Sequence, residues 1–233
     1  MSEERKWPGP LAIGIELIQD VTLLSGPGEG FLRRHRHRVK TLLDDGTRTD
    51  VFVVDFIDRD PHRRNAAVVA LYAPAERPDD ALVWLRRQVR YAQSRVSGHP
   101  LCTELVAGII ESPEDPLGCA RREVLEEVGL DLPETSFSHL GPPFFVLPGT
   151  LTEEIHLIAA RATQAQLLSA SERCPPGDGS PFEEGAQPVI LTLGQALELA
   201  ASSRPADPSQ VWIADAKTEL GLRRLRDRLS STR

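Results

Sequence analysis

The chain of 233 residues is short of cysteine, short of aromatic residues and free of long apolar runs. Its three cysteines, Cys102, Cys119 and Cys174, are odd in number and show none of the spacings of a zinc site. That excludes a disulfide framework and predicts reduced thiols in a cytoplasmic protein. No apolar run approaches the length of a membrane span. The opening MSEERKWPG has no apolar signal core, so the expectation is no membrane partner and no secretion. Aromatics are 5% of residues and the net charge is −7. With no aromatic platform interleaved among the arginines of residues 33–38, nucleic acid is not expected as a partner. Internal repeats and coiled-coil heptads are absent too.

What is present is concentrated in residues 108–130, GIIESPEDPLGCARREVLEEVGL. Asp115 is a good N-cap, Pro116 suits the first helical position and Gly129 suits the residue just past the end. These signals predict a helix of about three to four turns from Pro116 to Val128. Leu117, Ala120, Val124 and Val128 share one stripe at the spacing of a buried face. Arg122, Glu123, Glu126 and Glu127 gather on another side. Like charges at i,i+3 and i,i+4 repel, and anions near a helix C-terminus oppose its dipole. Such a cluster is either a solvated acidic face or a site for a hard cation, which binds one or two carboxylates together with substrate phosphates.

Outside that stretch, residues 12–24 read as a strand. FLRRHRHRVKTLL (31–43) alternates basic and apolar residues, Asp45-Gly46 marks a hairpin turn, and TRTDVFVVDFI follows as a β-rich run. Residues 12–58 therefore read as a small antiparallel unit. RNAAVVALYAP is a buried strand. After a loop at 74–80 come ALVWLRRQVRYA and LCTELVAGII, the second leading into the acidic helix. EEIHLIAARA and PVILTL read as strands, residues 163–188 as a long loop, and GQALELAASS and ADAKTELGLRRLRDRL as helices. Strands and helices in alternation predict a mixed sheet packed between helices, an α+β fold.

The acidic stretch resembles the Nudix box, G-x5-E-x7-R-E-U-x-E-E-x-G-U with U aliphatic, and fills every fixed position from Gly108 to Leu130. Weaker likenesses run over residues 64–228. WLRRQVRYA, TELVAG, LPGTLTEEIHL, FEEG and DAKTELGLRRL resemble, in order, segments of ADP-ribose and nucleoside-diphosphate-sugar pyrophosphatases. The resemblance implies an α/β/α sandwich over residues 63–233 and an N-terminal β unit over 1–62 that forms a homodimer. It implies hydrolysis of the pyrophosphate of ADP-ribose or a related nucleoside diphosphate sugar with Mg²⁺ or Mn²⁺. By likeness Glu123, Glu127 and the Ala107 carbonyl hold the metal, Glu126 completes the acidic set, and Arg122 orients the glutamates. Arg90 engages the diphosphate, with Glu104 and Glu154 beside the substrate. Glu184 takes a proton from the attacking water, with Glu183 and Glu154 as rivals for that role. The basic stretch Arg33–Arg38 has two readings, a lining for an anionic pocket or a charged edge strand that resists aggregation. Ala186, Leu147 and Val106 depart from the residues usual at their positions in relatives, which leaves metal count and sugar preference open. The rivals are a non-catalytic domain that senses a nucleotide sugar and a Nudix hydrolase of another nucleoside diphosphate derivative.

Overall fold

The structure is a computed structural model in which residue 13 and residues 16–20, 32–59, 65–172 and 184–231 are described. Residues 16–20 carry no strand, and most of the strand expected over 12–24 lies outside the described residues, as do Cys174 and Glu183. The antiparallel unit is present as β1 (Arg33–Val39) and β2 (Phe52–Asp58), paired from Arg33↔Asp58 to Val39↔Phe52. Asp45 and Gly46 form the tip of the intervening loop. The Thr47 N–H donates to Asp45 Oδ1 at 2.8 Å, and Gly46 takes a left-handed φ of 83° that suits glycine.

The main sheet runs β10–β4–β3–β9–β7, with β5 added to β4, β6 to β3 and β8 to β9. Its strands are β3 (Ala66–Ala73), β4 (Leu82–Val89), β5 (Leu101–Glu104), β6 (Val106–Ile109), β7 (Phe137–His139), β8 (Phe144–Phe145), β9 (Glu154–Arg161) and β10 (Gln187–Thr192). β3 is parallel to β9 and antiparallel to β4 and β6, so the sheet is mixed. Every residue of β3 is buried, because helices cover both faces and its continuous apolar run has no solvent side. One face packs on α2 (Pro116–Glu123) and α3 (Gln164–Ser171), through Cys119, Ala120, Val124, Leu167 and Ala170. The other packs on α4 (Leu193–Ala201) and α5 (Ala216–Ser231), through Leu193, Leu197, Leu222 and Leu225. This is the expected α/β/α sandwich.

The short α1 (Tyr91–Ser97) follows β4 directly. The long loop expected over 163–188 is corrected at its start, where α3 occupies residues 164–171. Thr163 and Gln166 form a capping box there, and Leu167 and Ala170 bury against the sheet. Among the described residues no helix is long and apolar enough to cross a membrane. The two β units meet at the end of β2. The Ile57 N–H donates to the Thr150 carbonyl at 2.7 Å, the Thr152 N–H donates back to the Ile57 carbonyl at 3.2 Å, and Arg59 forms an ion pair with Glu153.

Candidate active site

β3 and β4 pair with each other only over Leu71–Ala73 and Leu82–Trp84. Beyond that they diverge, β4 taking β5 as its partner and β3 taking β6. The segment that fills the fork is a single run broken at Leu105, whose N–H donates to Thr218 Oγ1 of α5 at 3.0 Å. The fork opens a cavity of about 730 Å³, within the range of sites for ligands of nucleotide size. Its walls come from β3, β4, β5, β6, α2, the start of β9 and the start of α5, with Arg59 arriving from the end of β2.

α2 delivers the acids. Asp115 caps it by accepting from the Gly118 N–H at 2.7 Å, and a wider π turn continues it over Val124–Val128 to Gly129, at φ 74°. Ala120, Val124 and Val128 are buried as the stripe predicts, but Glu123 and Glu127 are buried with them. Two arginines relieve the repulsion among the acids. Arg122 grips Glu114 with Nε and Nη2, both at 3.1 Å, and its Nη1 donates to Glu123 Oε1 at 2.6 Å and Glu126 Oε2 at 3.0 Å. Partial burial works against its charge, yet Glu114 and Glu123 outweigh that and raise its pKa. Arg86, interior on β4, lies 3.3 Å from Glu127 Oε1.

Gly108 is where the helix meets the sheet. A Cβ there would stand 1.7 Å from Glu123 Oε1 and 2.4 Å from its Cγ, so only glycine admits this carboxylate against β6. Beneath it the Cys119 thiol donates weakly to the carbonyls of Ile109 (3.5 Å) and Gly108 (3.7 Å). Burial pushes that thiol's pKa up to about 12, so it stays protonated as a donor.

Of the residues singled out in the sequence, Ala107, Glu123, Glu127, Arg122, Arg90 and Glu104 all line the cavity. Arg90 sits at the junction of β4 and α1, its Nε donating to Glu104 Oε1 at 2.6 Å. Glu126 is set back, holding Arg122. Glu154 opens β9 but does not line the cavity, whereas its neighbour Glu153 does. Glu184 is exposed and outside the lining. Sequence reasoning missed Arg59, Glu153, Asp215, Lys217, Gln88 and Arg86. Asp215 and Lys217 lie in the DAKT segment, where Asp215 caps α5 by accepting from the Thr218 N–H at 2.9 Å and pairs with Lys217 Nζ at 2.6 Å. Burial pushes the Asp215 carboxyl up, but Lys217 and the hydrogen bonds from Thr218 prevail and hold it below the usual range. Lys217 is raised, burial being outweighed by Asp215.

Among the described residues no three acidic, histidine or cysteine side chains converge as a preformed cage. The donor set still fits a hard divalent cation, which takes oxygen ligands and usually needs one or two carboxylates plus substrate phosphates. Glu123, Glu127 and Ala107, whose oxygens are of the required kind, line the same cavity.

The family described as "NUDIX domain" matches residues 61–192, and hydrolases of that family generally use divalent metal ions. A GDP-mannose pyrophosphatase of Klebsiella pneumoniae subsp. pneumoniae is 30% identical over 177 residues, covering 76% of this chain and 82% of its own. One of Salmonella arizonae is 29% identical over 199 residues, covering 84% and 94%. A solved structure described as "Crystal structure of ADP compounds hydrolase" superposes with a TM-score of 0.56 at 16% identity over 98% of each chain, a likeness of fold. A box filled at every fixed position, lining the fork of a sheet that a solved hydrolase shares, and a family match over more than half the chain lead to one conclusion: this protein belongs to the NUDIX family.

Proposed function

We propose that this protein is a Nudix pyrophosphatase that hydrolyses the phosphoanhydride of ADP-ribose or a related nucleoside diphosphate sugar, giving a nucleoside monophosphate and a sugar phosphate. One observation carries the reading. Two buried carboxylates, Glu123 and Glu127, share a single cavity with Arg90, a combination that supports a cation held beside a diphosphate. The likeness to GDP-mannose pyrophosphatases puts guanosine sugars in the substrate range beside ADP-ribose.

In this reading Glu123, Glu127 and the Ala107 carbonyl hold Mg²⁺ or Mn²⁺. When bound, the ion neutralises phosphate charge and lowers the pKa of a bound water. Arg90 presents a planar fork to the diphosphate, and Glu104 fixes the angle of that fork through its contact with Nε. Arg122 keeps Glu123 and Glu126 in place without touching substrate. To Glu184, exposed and outside the cavity lining, this reading assigns the proton of the attacking water. Water adds to one phosphorus, the bond from that phosphorus to the bridging oxygen breaks, and the second phosphate leaves with that oxygen.

The test is a substrate panel of ADP-ribose, GDP-mannose, other nucleoside diphosphate sugars, coenzyme A and dinucleoside polyphosphates. It is assayed with Mg²⁺, with Mn²⁺ and after chelation, with products resolved by chromatography. Metal-dependent release of a nucleoside monophosphate from a nucleotide sugar is the expected result. Binding without turnover would support the sensing alternative instead.

We propose further that the N-terminal unit joins two copies of the chain. Leu42, Val51, Phe52 and Val53 are exposed on or beside the β1–β2 hairpin, and clustered exposed apolar residues mark interaction surfaces. Light scattering on the purified chain is expected to give twice the monomer mass. Cytoplasmic residence is proposed from the two described cysteines, both buried and free.

A further inference from the structure

One buried charge beside the box lies beneath the cavity wall rather than in it. Arg86 of β4 is 1% exposed, and its Nη1 stands 3.3 Å from Glu127 Oε1. Glu127 lines the cavity and Arg86 does not, so the guanidinium meets that carboxylate from the protein side. The strand delivers it there. Side chains alternate along β4, so Arg86 shares a face with Trp84, which packs in the cluster that holds Cys119, Ala120 and Val124. That is the face covered by α2 and its π turn. The register partner of Arg86 on β5 is Glu104, another acid of the cavity wall. Stability alone does not account for an arginine here. Apolar residues of similar volume often serve a fold as well as a buried ion pair does, whereas a lone buried charge is costly. Glu127 has to be a carboxylate if it is to hold a cation, and a counter-charge behind it lets the interior accept one.

We propose that Arg86 is a charge-balancing, positioning residue of this site. Paired with Glu127, it weakens the site's hold on a divalent cation and strengthens its hold on a diphosphate. This rests on the reading of Glu127 as a cation ligand in a nucleoside diphosphate sugar site. A guanidinium in contact with a ligand carboxylate repels the cation which that carboxylate would hold. The same charge attracts the doubly negative diphosphate. Charges act most strongly where water is excluded, and the side chains of Arg86 and Glu127 are only 2% and 5% exposed. Arg122 stands in the same relation to Glu123, with Nη1 2.6 Å from Oε1. Its charge is shared with Glu114 and Glu126 and reaches solvent, so screening blunts it. Arg86 is the interior cation of the pair, and its charge acts without that screening.

The experiment uses the full chain with Arg86→Met, which keeps the bulk and removes the charge, and Arg86→Lys, which keeps the charge. Calorimetry measures two affinities for each protein at fixed pH. One is for Mn²⁺ alone, and the other is for GDP-mannose in the presence of a chelator, where no turnover occurs. Arg86→Met is expected to bind Mn²⁺ at least about tenfold more tightly and metal-free GDP-mannose about three- to tenfold more weakly. Arg86→Lys is expected to stay within about threefold of the wild type in both. Opposite shifts are the signature, because a residue that only held the fold or the cavity together would weaken both ligands when removed. Both affinities falling, or an Mn²⁺ affinity that does not rise, would overturn the proposal. Should Arg86→Met fail to fold, Glu127→Gln is compared with Glu127→Gln/Arg86→Gln, which buries no unpaired charge. The second substitution must then weaken metal-free GDP-mannose relative to the first, and an equal or tighter affinity overturns the proposal. A wild type that binds neither Mn²⁺ nor any nucleoside diphosphate sugar removes the functional reading and the Arg86 inference together. A wild type that binds and cleaves GDP-mannose, with Arg86→Met unshifted in either affinity, removes the inference alone.

Discussion

Replacing Gly108 with alanine inserts one methyl group into the space occupied by the Glu123 side chain. The new Cβ would lie 1.7 Å from Oε1, 1.9 Å from the carboxyl carbon and 2.4 Å from Cγ. Non-bonded carbons settle at about 3.5–4.0 Å, so the carboxylate has to retreat by roughly 2 Å. Retreat breaks its 2.6 Å bond to Arg122 Nη1 and carries it off the cavity wall. Displacing a positioned group by about 1 Å costs on the order of 10²-fold in rate, so kcat is expected to fall by at least that factor. Stability suffers less. Overpacking costs about 1–3 kcal/mol, and in a chain of this size each kcal/mol lowers Tm by roughly 2–4 °C. The assay pairs steady-state hydrolysis of a nucleotide sugar with thermal unfolding of the same preparation. A folded Gly108→Ala protein with kcat within twofold of wild type would refute the reasoning, because it would show that Glu123 does not act from where the glycine places it.

Other outcomes follow from the same geometry. Glu127→Gln is expected to abolish turnover and also to destabilise the fold by up to about 3–5 kcal/mol, since it removes a carboxylate charge that pairs with the buried Arg86. Urea unfolding checks this, and adding Arg86→Gln should recover part of the loss. Arg87 of β4 donates from Nη2 to the carbonyls of Pro208, Ser209 and Gln210, at 3.2, 2.6 and 3.4 Å, tying down the loop that leads to Asp215. Arg87→Lys is expected to cost about 1.5–3 kcal/mol and to raise proteolysis at residues 205–211, whereas wild-type resistance there would show that the clamp is dispensable. The Asp215–Lys217 pair sets a pH dependence. The lowered Asp215 pKa stabilises the fold above the usual carboxylate value near 3.9 and is lost as pH falls through its folded value. The raised Lys217 pKa stabilises it below about 10.4 and is lost as pH climbs through its folded value. Asp215→Asn should therefore flatten the acid limb of a Tm-against-pH curve, and an unchanged limb would rule the pair out as its cause.

Local order accounts for what was legible beforehand. Asp115 and Pro116 start α2 and Gly129 ends the π turn that continues it, through chemistry acting within one turn, so these ends follow from neighbours in the chain. The all-apolar run of β3 announces a strand with no solvent face, and strands alternating with helices announce the sandwich. The Thr163–Gln166 capping box was written in the sequence as well, but it sits in a Gly-, Pro- and Ser-rich neighbourhood that reads as loop. Burial of Leu167 and Ala170 against the sheet is what decides for helix there.

The candidate site divides along the same line. That residues 108–130 gather acids on one short helical stretch was determined by the chain alone, because box spacing is a local property. Which groups face those acids was decided only in three dimensions. Gln88, Arg90 and Glu104 reach Glu123 and Glu127 because β3 and β4 part company and β5 and β6 fill the gap. Arg59 arrives from another β unit, and Lys217 from a helix some ninety residues downstream. Contacts between residues so far apart in the chain leave no periodicity and no spacing to read. Strand pairing creates them, and the burial that strips water from Arg86, Glu127 and Gln88 gives them their chemical character.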